Sequence, residues 1–412
     1  MHRRILTSLT VLVSLTVLSA CGGGGGGSTS GATTEPLRIG VLVNKAGTLA
    51  QSSAEYQAGY EVAAAAAAGA LGGRRVELVT AEEDGTPAGT AAAATQLVQQ
   101  RGVRLITGVV SSAQALAVGP VVTRLGALFV DTSAQGNQLT GSACQAGYFR
   151  AVANAAIYSK IVGAAVSASP AKTWSLVVAD YAFGNDMAEG VSKAVAEAGG
   201  TVNQIIRTPV GNSDFGSAIS QLAAKRSDGL FTALPGADSS TFLKQADQFG
   251  FLPTYKQIVG DVLLTNLSAG DFANIAPKLQ ANTVEVSSGY YPQEVSTPAN
   301  TDYLRRFAEA RPGQDINETA KKANNGWNAV QVIVSGVAAA RSDDPLAVRK
   351  ALGGLTIELP LGTAKMRAED HQLLVPGAIG KIVQENGKWR LAQARAIPAD
   401  QLVPPVEGCN LG

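Results

Sequence analysis

From Pro36 onward, short apolar runs alternate with longer stretches that carry one polar face. "LRIGVLV" is too short for a helix and reads as a buried strand, and the alanine-rich "SAEYQAGYEVAAAAAAG" reads as a long helix. The pattern continues with "RRVELVTAEED" as a strand, a helix from Pro87 to Gln100, and the strand "VRLITGVV". A helix opening at "SSAQALAVGPVV" then leads to the strand "ALFVDTS". Short β-branched strands, helices of about 12 to 18 residues and brief connections predict a doubly wound parallel sheet.

The rhythm then restarts. "TWSLVVAD", "TVNQIIRT", "GLFTAL" and "YKQIVGD" read as strands. They are separated by the helical stretches "GNDMAEGVSKAVAEAGG", "SDFGSAISQLAAKRS" and "SSTFLKQADQFG". After the strand "NTVEVSSGYYP" come helices around Tyr303 to Arg311 and Thr319 to Arg341. A shorter helix begins at Asp343-Asp344-Pro345, where an acid and a first-turn proline make a good start. The end is β: "AIGKIVQ" and "KWRLAQARA" flank Glu385-Asn386-Gly387, a tight hairpin turn. The expected fold is α/β, with two Rossmann-like lobes whose parallel sheets are joined by a three-stranded hinge. Lobe 1 takes residues 36–150 plus about 288–360, and lobe 2 takes 151–287 plus about 361–412. The chain then crosses between lobes near Arg150, near Ser288 and near Leu361.

The first 35 residues have a different character. Arg3 and Arg4 precede an oily run from Ile5 to Leu18, the length of a signal-peptide core and short of a membrane span. Leu18-Ser19-Ala20-Cys21 then resembles the lipobox of bacterial lipoproteins. That resemblance implies removal of residues 1–20 and a lipid on Cys21 that holds the protein to a membrane surface. Gly22 to Thr34 has no large apolar side chain and reads as a flexible tether reaching about 20 Å. The expected location is extracytoplasmic, anchored to the cell membrane.

Composition narrows the function. A formal net charge of +1 gives no footprint for nucleic acid. With Cys21 lipidated, Cys144 and Cys409 remain as an even pair in an exported chain, which permits a disulfide, the alternative being two buried thiols. After residue 20 the single histidine is His371, and no Gly-x-Ser-x-Gly turn accompanies it. Neither a phosphate loop nor a Gly-x-Gly-x-x-Gly fingerprint follows a strand, and no His/Cys cluster suits zinc. Glu82-Glu83-Asp84 reads as a solvated loop. No catalytic residue, metal or cofactor is expected, so the protein reads as a binder and not an enzyme.

In open parallel sheets, ligands sit beyond the carboxyl ends of strands, against helix N-termini. Two places in lobe 1 carry suitable groups: Ser111 and Ser112 in "GVVSSAQAL", and Ser133, Ala134 and Gln135 in "VDTSAQG". Hydroxyls and free backbone N–H groups there would converge on one anion, although one serine can equally serve as the helix cap.

The chain resembles the type I periplasmic solute-binding proteins of ABC importers, in particular the branched-chain amino acid (Leu/Ile/Val) binding family. The likeness rests on "PLRIGVLV", "GGRRVELVTAEED", "GVVSSAQALAVGPVV", "FVDTSAQGNQLT", "YFRAV", "VVADYAFGNDMAEG", "TPVGNSDFGSAISQL" and "FLKQADQFGF", in that order. It implies a monomer that delivers a small amino acid or related carboxylate to an ABC permease, with the lobes closing on the ligand. It further implies that Ser111 or Ser112 and the Ser133–Gln135 stretch hold the ligand carboxylate. Phe183 would line lobe 2, and an acid there would take the ammonium. This sequence departs from the family at three places. Gln135 replaces a threonine, Ser52 an aromatic, and Asp261 lies one position from the expected acid, where Val262 stands. A buried ammonium without a carboxylate is disfavoured, so an aromatic acid or an amide is an alternative ligand. A ligand-sensing lipoprotein signalling to a membrane receptor is the alternative role.

Overall fold

The computed structural model describes residues 35–411, except 262, 263, 265, 266, 281, 288 and 289; the side chains of 261, 269, 283–287 and 317 are also outside the description. The expected signal segment, the expected lipidation at Cys21 and tether after it, and the crossing expected near Ser288 therefore lie outside the described residues.

The first sheet contains β1 (Leu37–Asn44), β2 (Val76–Glu83), β3 (Leu105–Gly108), β4 (Leu128–Asp131) and β5 (Tyr148–Arg150). All pair in parallel, in the order β2-β1-β3-β4-β5. Helices α1 (Ala50–Ala66), α2 (Pro87–Gln99) and α3 (Ser112–Arg124) connect them. Every residue of β3 and β4 is buried, as central strands covered on both faces require, whereas the edge strand β2 retains exposed positions. Thr86 caps α2 ahead of Pro87, and Ser111 with Gln114 forms a full capping box on α3.

After α4 (Ala155–Ser167) the second sheet is built from β6 (Thr173–Ala179), β7 (Thr201–Thr208), β8 (Gly229–Ala233), β9 (Gln257–Asp261) and β10 (Thr283–Ser287). The connecting helices are α5 (Ala182–Glu197), α6 (Gly216–Ala224), α7 (Gly236–Gln248) and α8 (Ala269–Leu279). The parallel part runs β10-β9-β8-β6-β7, which repeats the order of the first sheet. Each sheet thus has its topological switch point between its first and third strands, β1/β3 and β6/β8, where ligand crevices form.

The remaining chain divides. Helices α9 (Pro298–Ala310) and α10 (Ile316–Ala340) pack with α1, α11 (Pro345–Leu352) packs on α10, and a small antiparallel sheet of β11 (Thr356–Leu359), β12 (Gly362–Met366) and β13 (Leu373–Leu374) lies beside α9 and α10. Helix α10 meets α1 backbone to backbone: a Cβ on Gly59 would stand 2.0 Å from the Ala323 carbonyl oxygen, and one on Gly326 2.0 Å from that of Tyr56. Glycine is required at both positions because two helices this close leave no room for a side chain. Finally β14 (Gly377–Glu385) pairs antiparallel with β10, and β15 (Lys388–Ile397) with β14, across a turn in which Asn386 and Gly387 both have positive φ.

Pro360-Leu361 is the turn between β11 and β12 and does not carry the chain to the second sheet. The third crossing, expected near Leu361, is therefore corrected: we place it at Val375–Pro376, between β13 and β14. The sequence reading also lacked β5, α4, α8 and the small sheet. Helix α4, "AAIYSKIVGAAVS", exposes only a narrow stripe in which Lys160 and Ser167 are the polar residues, so little polar face marks it.

Candidate ligand-binding cleft

A cavity of about 170 Å³ lies between the carboxyl ends of the two sheets. On the first-sheet side it is lined by Val110 and Ser112 after β3, Ser133 and Gln135 after β4, and Ser52, Glu55 and Tyr56 of α1. Across it stand Tyr158 of α4, Tyr181 and Phe183 after β6, and Leu234, Pro235 and Gly236 after β8. The connecting segments Ala151–Ala153 and Val375–Pro376 also border it.

The two adjacent serines have different tasks. Ser111 is the N-cap of α3: its hydroxyl accepts from the Gln114 N–H at 3.3 Å, and it does not border the cavity. Ser112 borders the cavity, and its oxygen accepts from the Gly136 N–H at 3.0 Å. With the oxygen so engaged, the hydroxyl hydrogen is left to donate to an acceptor in the cleft.

The loop after β4 departs from expectation. The N–H groups of Ser133 and Ala134 are not available to a ligand anion. Both donate to Asp131 Oδ1, at 3.1 and 3.0 Å. Ala134 is buried away from the cavity. Asp131 is fully buried, receives the Tyr148 hydroxyl at 2.8 Å, and lies near Arg150; desolvation nevertheless raises its pKa to about 6. Arg150 donates to the carbonyls of Gln135 and Gly136 at 3.2 and 2.7 Å, which fixes the peptide planes of the loop. What the loop presents to the cleft is side chains: Ser133, hydrogen-bonded to the Tyr56 hydroxyl at 2.9 Å, and Gln135, whose amide donates to the Tyr158 hydroxyl at 3.1 Å.

Phe183 borders the cavity and meets Tyr158 edge-on, with ring centroids 6.3 Å apart, and Tyr181 at a tilt. Asp261 ends β9, in register with Ala233 and Val286, and its side chain lies outside the described residues. Among the described lining residues the acid is Glu55, paired with Lys322 of α10 at 3.3 Å.

The sequence reading missed the α10 contribution entirely. Lys321, Lys322, Asn324, Asn325 and Asn328 all border the cavity. The available signal was three asparagines within "KKANNGWN" in a helix interior, where asparagine is a poor helix former. Glu83 is likewise no solvated loop acid. It is buried at the end of β2 and accepts from Thr90 and Gln114, tying α2 to α3. His371 is buried, stacks on Phe149 at 3.8 Å, and has Nδ1 2.9 Å from the Tyr148 carbonyl oxygen, outside the cavity. Cys144 and Cys409 form a disulfide across 265 residues of chain. Among the described residues, no group of three or more His, Cys, Asp or Glu side chains is placed to hold a metal, and no helix is long and apolar enough to cross a membrane.

The chain is similar in sequence and fold to known proteins. The periplasmic binding protein family matches residues 36–388. The chain belongs to that family. This periplasmic binding protein is 24% identical to the Leu/Ile/Val-binding protein homolog 4 of Brucella abortus (strain 2308), over 95% of this chain and 96% of that one. A solute-binding protein of an R. palustris ABC transporter, solved in complex with 4-hydroxybenzoate, superposes with a TM-score of 0.79. It is 19% identical and covers 88% of this chain and 97% of its own. An ABC-type branched-chain amino acid transporter of Rhodopseudomonas palustris CGA009 superposes with a TM-score of 0.71 at 21% identity, covering 91% and 100%. Two doubly wound lobes around one cleft are thus the architecture of this periplasmic binding protein.

Proposed function

We propose that this protein is the extracytoplasmic receptor of an ABC importer and binds a small carboxylate solute in the cleft, handing it to a membrane permease. The observation that carries this reading is the cavity itself. It sits at both switch points, with the Ser112 hydroxyl on one wall and the Tyr158, Tyr181 and Phe183 rings on the other. Ser112 would donate to the carboxylate, and the rings would cover the apolar body. Closure of the lobes about the crossing segments would remove water from around the ligand. A solute shifts that equilibrium only by its preference for the closed form. Cys21, lipidated, would keep the receptor beside its permease, and Cys21→Ser would release it from the membrane fraction.

A thermal-shift screen against amino acids, aromatic acids and amides tests the reading. At a hundredfold excess over Kd a true ligand adds about 2.7 kcal/mol. Failure of every carboxylate to stabilise the protein, or stabilisation that persists undiminished in Ser112→Ala, would remove the proposal.

Glu55 favours a second reading, an α-amino acid whose ammonium lies against that carboxylate. This is the ligand type named in the Brucella relative. Glu55→Gln would then abolish stabilisation by amino acids while leaving acids that lack an amine unaffected.

A further inference from the structure

Asn324 and Asn328 sit one turn apart on α10 and both border the cavity. They are 5% and 8% exposed. Asn328 donates its amide N–H to Asn324 Oδ1 at 3.0 Å. The outer atoms of this couple, Asn324 Nδ2 and Asn328 Oδ1, are buried and have no hydrogen-bond partner among the described residues. Reversing both amides exchanges the two roles but still leaves one donor group and one acceptor unmet. Reversing only one would set like atoms against each other. The couple therefore always holds one unmet donor and one unmet acceptor.

Two asparagines are an unusual choice for such a place. Each disfavours the helix interior relative to leucine or alanine, and an unsatisfied buried amide destabilises further. The close packing at Gly59 and Gly326 fixes α10 against α1, so the pair cannot relieve this by moving its backbone toward water. Buried polar groups left unmatched in the protein alone, at the wall of a ligand cavity, select for a ligand that matches them.

We infer that the Asn324–Asn328 couple is a specificity subsite for a neutral polar substituent, a hydroxyl or a carboxamide, carried by the solute at its end away from the carboxylate. Such a group accepts from Asn324 and donates to Asn328 after a small rotation of the two amides. A plain alkyl side chain, as in leucine, isoleucine or valine, leaves both atoms unmet and is selected against. The inference rests on the carboxylate reading above and narrows it to hydroxy- or carbamoyl-bearing acids.

The test uses the full chain with matched probes, benzoate against 4-hydroxybenzoate and L-leucine against L-glutamine, measured by calorimetry. It also uses the variants Asn324→Leu and Asn328→Leu and the double variant. In the unmodified protein the polar member of whichever pair binds should be favoured about tenfold or more. In the variants that preference should fall to about onefold, with the apolar member bound at least as well as before. Equal affinity within a pair, or a preference unchanged by the double variant, overturns the inference while the carboxylate reading stands. Failure of all four probes and of the wider carboxylate screen overturns both. A ligand-independent measurement decides the matter separately. If the asparagines serve the ligand, the double leucine variant without ligand should melt at the same temperature or higher. If they serve the fold, it should melt lower, and the subsite is refuted.

Discussion

The carbonyl oxygen of Thr48, in the loop between β1 and α1, is so close to Gly236 at the start of α7 that a Cβ there would lie 2.7 Å from it. The same threonine's hydroxyl would lie 3.2 Å from a Cβ on Gly211. These contacts join the two lobes at the rim of the cavity. Gly236 also has φ of +50°, which penalises any other residue by about 1–2 kcal/mol whether or not the lobes meet. Gly236→Ala should therefore lower Tm and, separately, weaken ligand affinity about tenfold by blocking the Thr48 contact. A lowered Tm with unchanged affinity would mean that this contact is no part of the ligand-bound form.

Ser111 and Ser112 should separate cleanly. Ser111→Ala removes a helix cap and should lower stability by about 1 kcal/mol with little change in affinity. Ser112→Ala removes the hydroxyl that faces the cleft. It should weaken carboxylate binding by a factor of about ten to a hundred, the range for a hydrogen bond to a charged group. Paired urea titrations and calorimetry check both.

Gly326→Ala would press a methyl group into the Tyr56 carbonyl oxygen, with backbone on both sides. Overpacking of this kind should reduce unfolding stability by about 3 kcal/mol. The midpoint in urea should fall while the slope is preserved. Ligand affinity should fall too, because the same helix pair sets Tyr56 and Asn324 at the cavity wall.

His371 and Asp131 oppose each other in acid. Burial lowers the His371 pKa from 6.5 to about 4, against the weaker raising effects of the Tyr148 carbonyl and Asp370, with Arg349 adding to the decrease. The unfolded chain takes up that proton first, so the contribution is present above pH 6.5 and is lost as pH falls through about 4. Burial raises Asp131 to about 6, so its contribution is full below its unfolded pKa of 3.8 and is lost as pH rises through about 6. Each amounts to about 3 kcal/mol at 1.36 kcal/mol per unit. Relative to wild type, Asp131→Asn should make stability fall more steeply from pH 6 to 4, and His371→Gln should make it rise. Parallel curves for all three proteins would show that neither group titrates as its surroundings dictate.

Much of the scaffold was legible before folding. Runs such as "TVNQIIRT" became β7 residue for residue, and Asp344-Pro345 opened α11, because strand patterning, caps and turns act over a few neighbouring residues. Helix α4 was hidden because its exposed stripe holds only Lys160 and Ser167 as polar residues, with Gly163 and Ala164 between them, and β11–β13 because strands of two to five residues carry no period. The turn at Leu361 was misplaced as a crossing because a breaker residue looks the same wherever the chain goes next.

The site was legible only in part. A serine pair after β3 could be read as cap and ligand donor, but which serine did which depended on Gly136, 24 residues away, reaching Ser112. The backbone donors expected at Ser133 and Ala134 were taken by Asp131, in a local Asx pattern two and three residues on that competes with any ligand for the same N–H groups. The asparagines of α10 lie nearly 200 residues beyond that loop and reach the cavity only because two glycines let α1 and α10 touch. Local sequence thus determined the elements, their order and the strand ends where a ligand would sit. Tertiary packing decided which polar groups remain available there, because each hydrogen bond is settled by whichever partner the fold brings within about 3 Å.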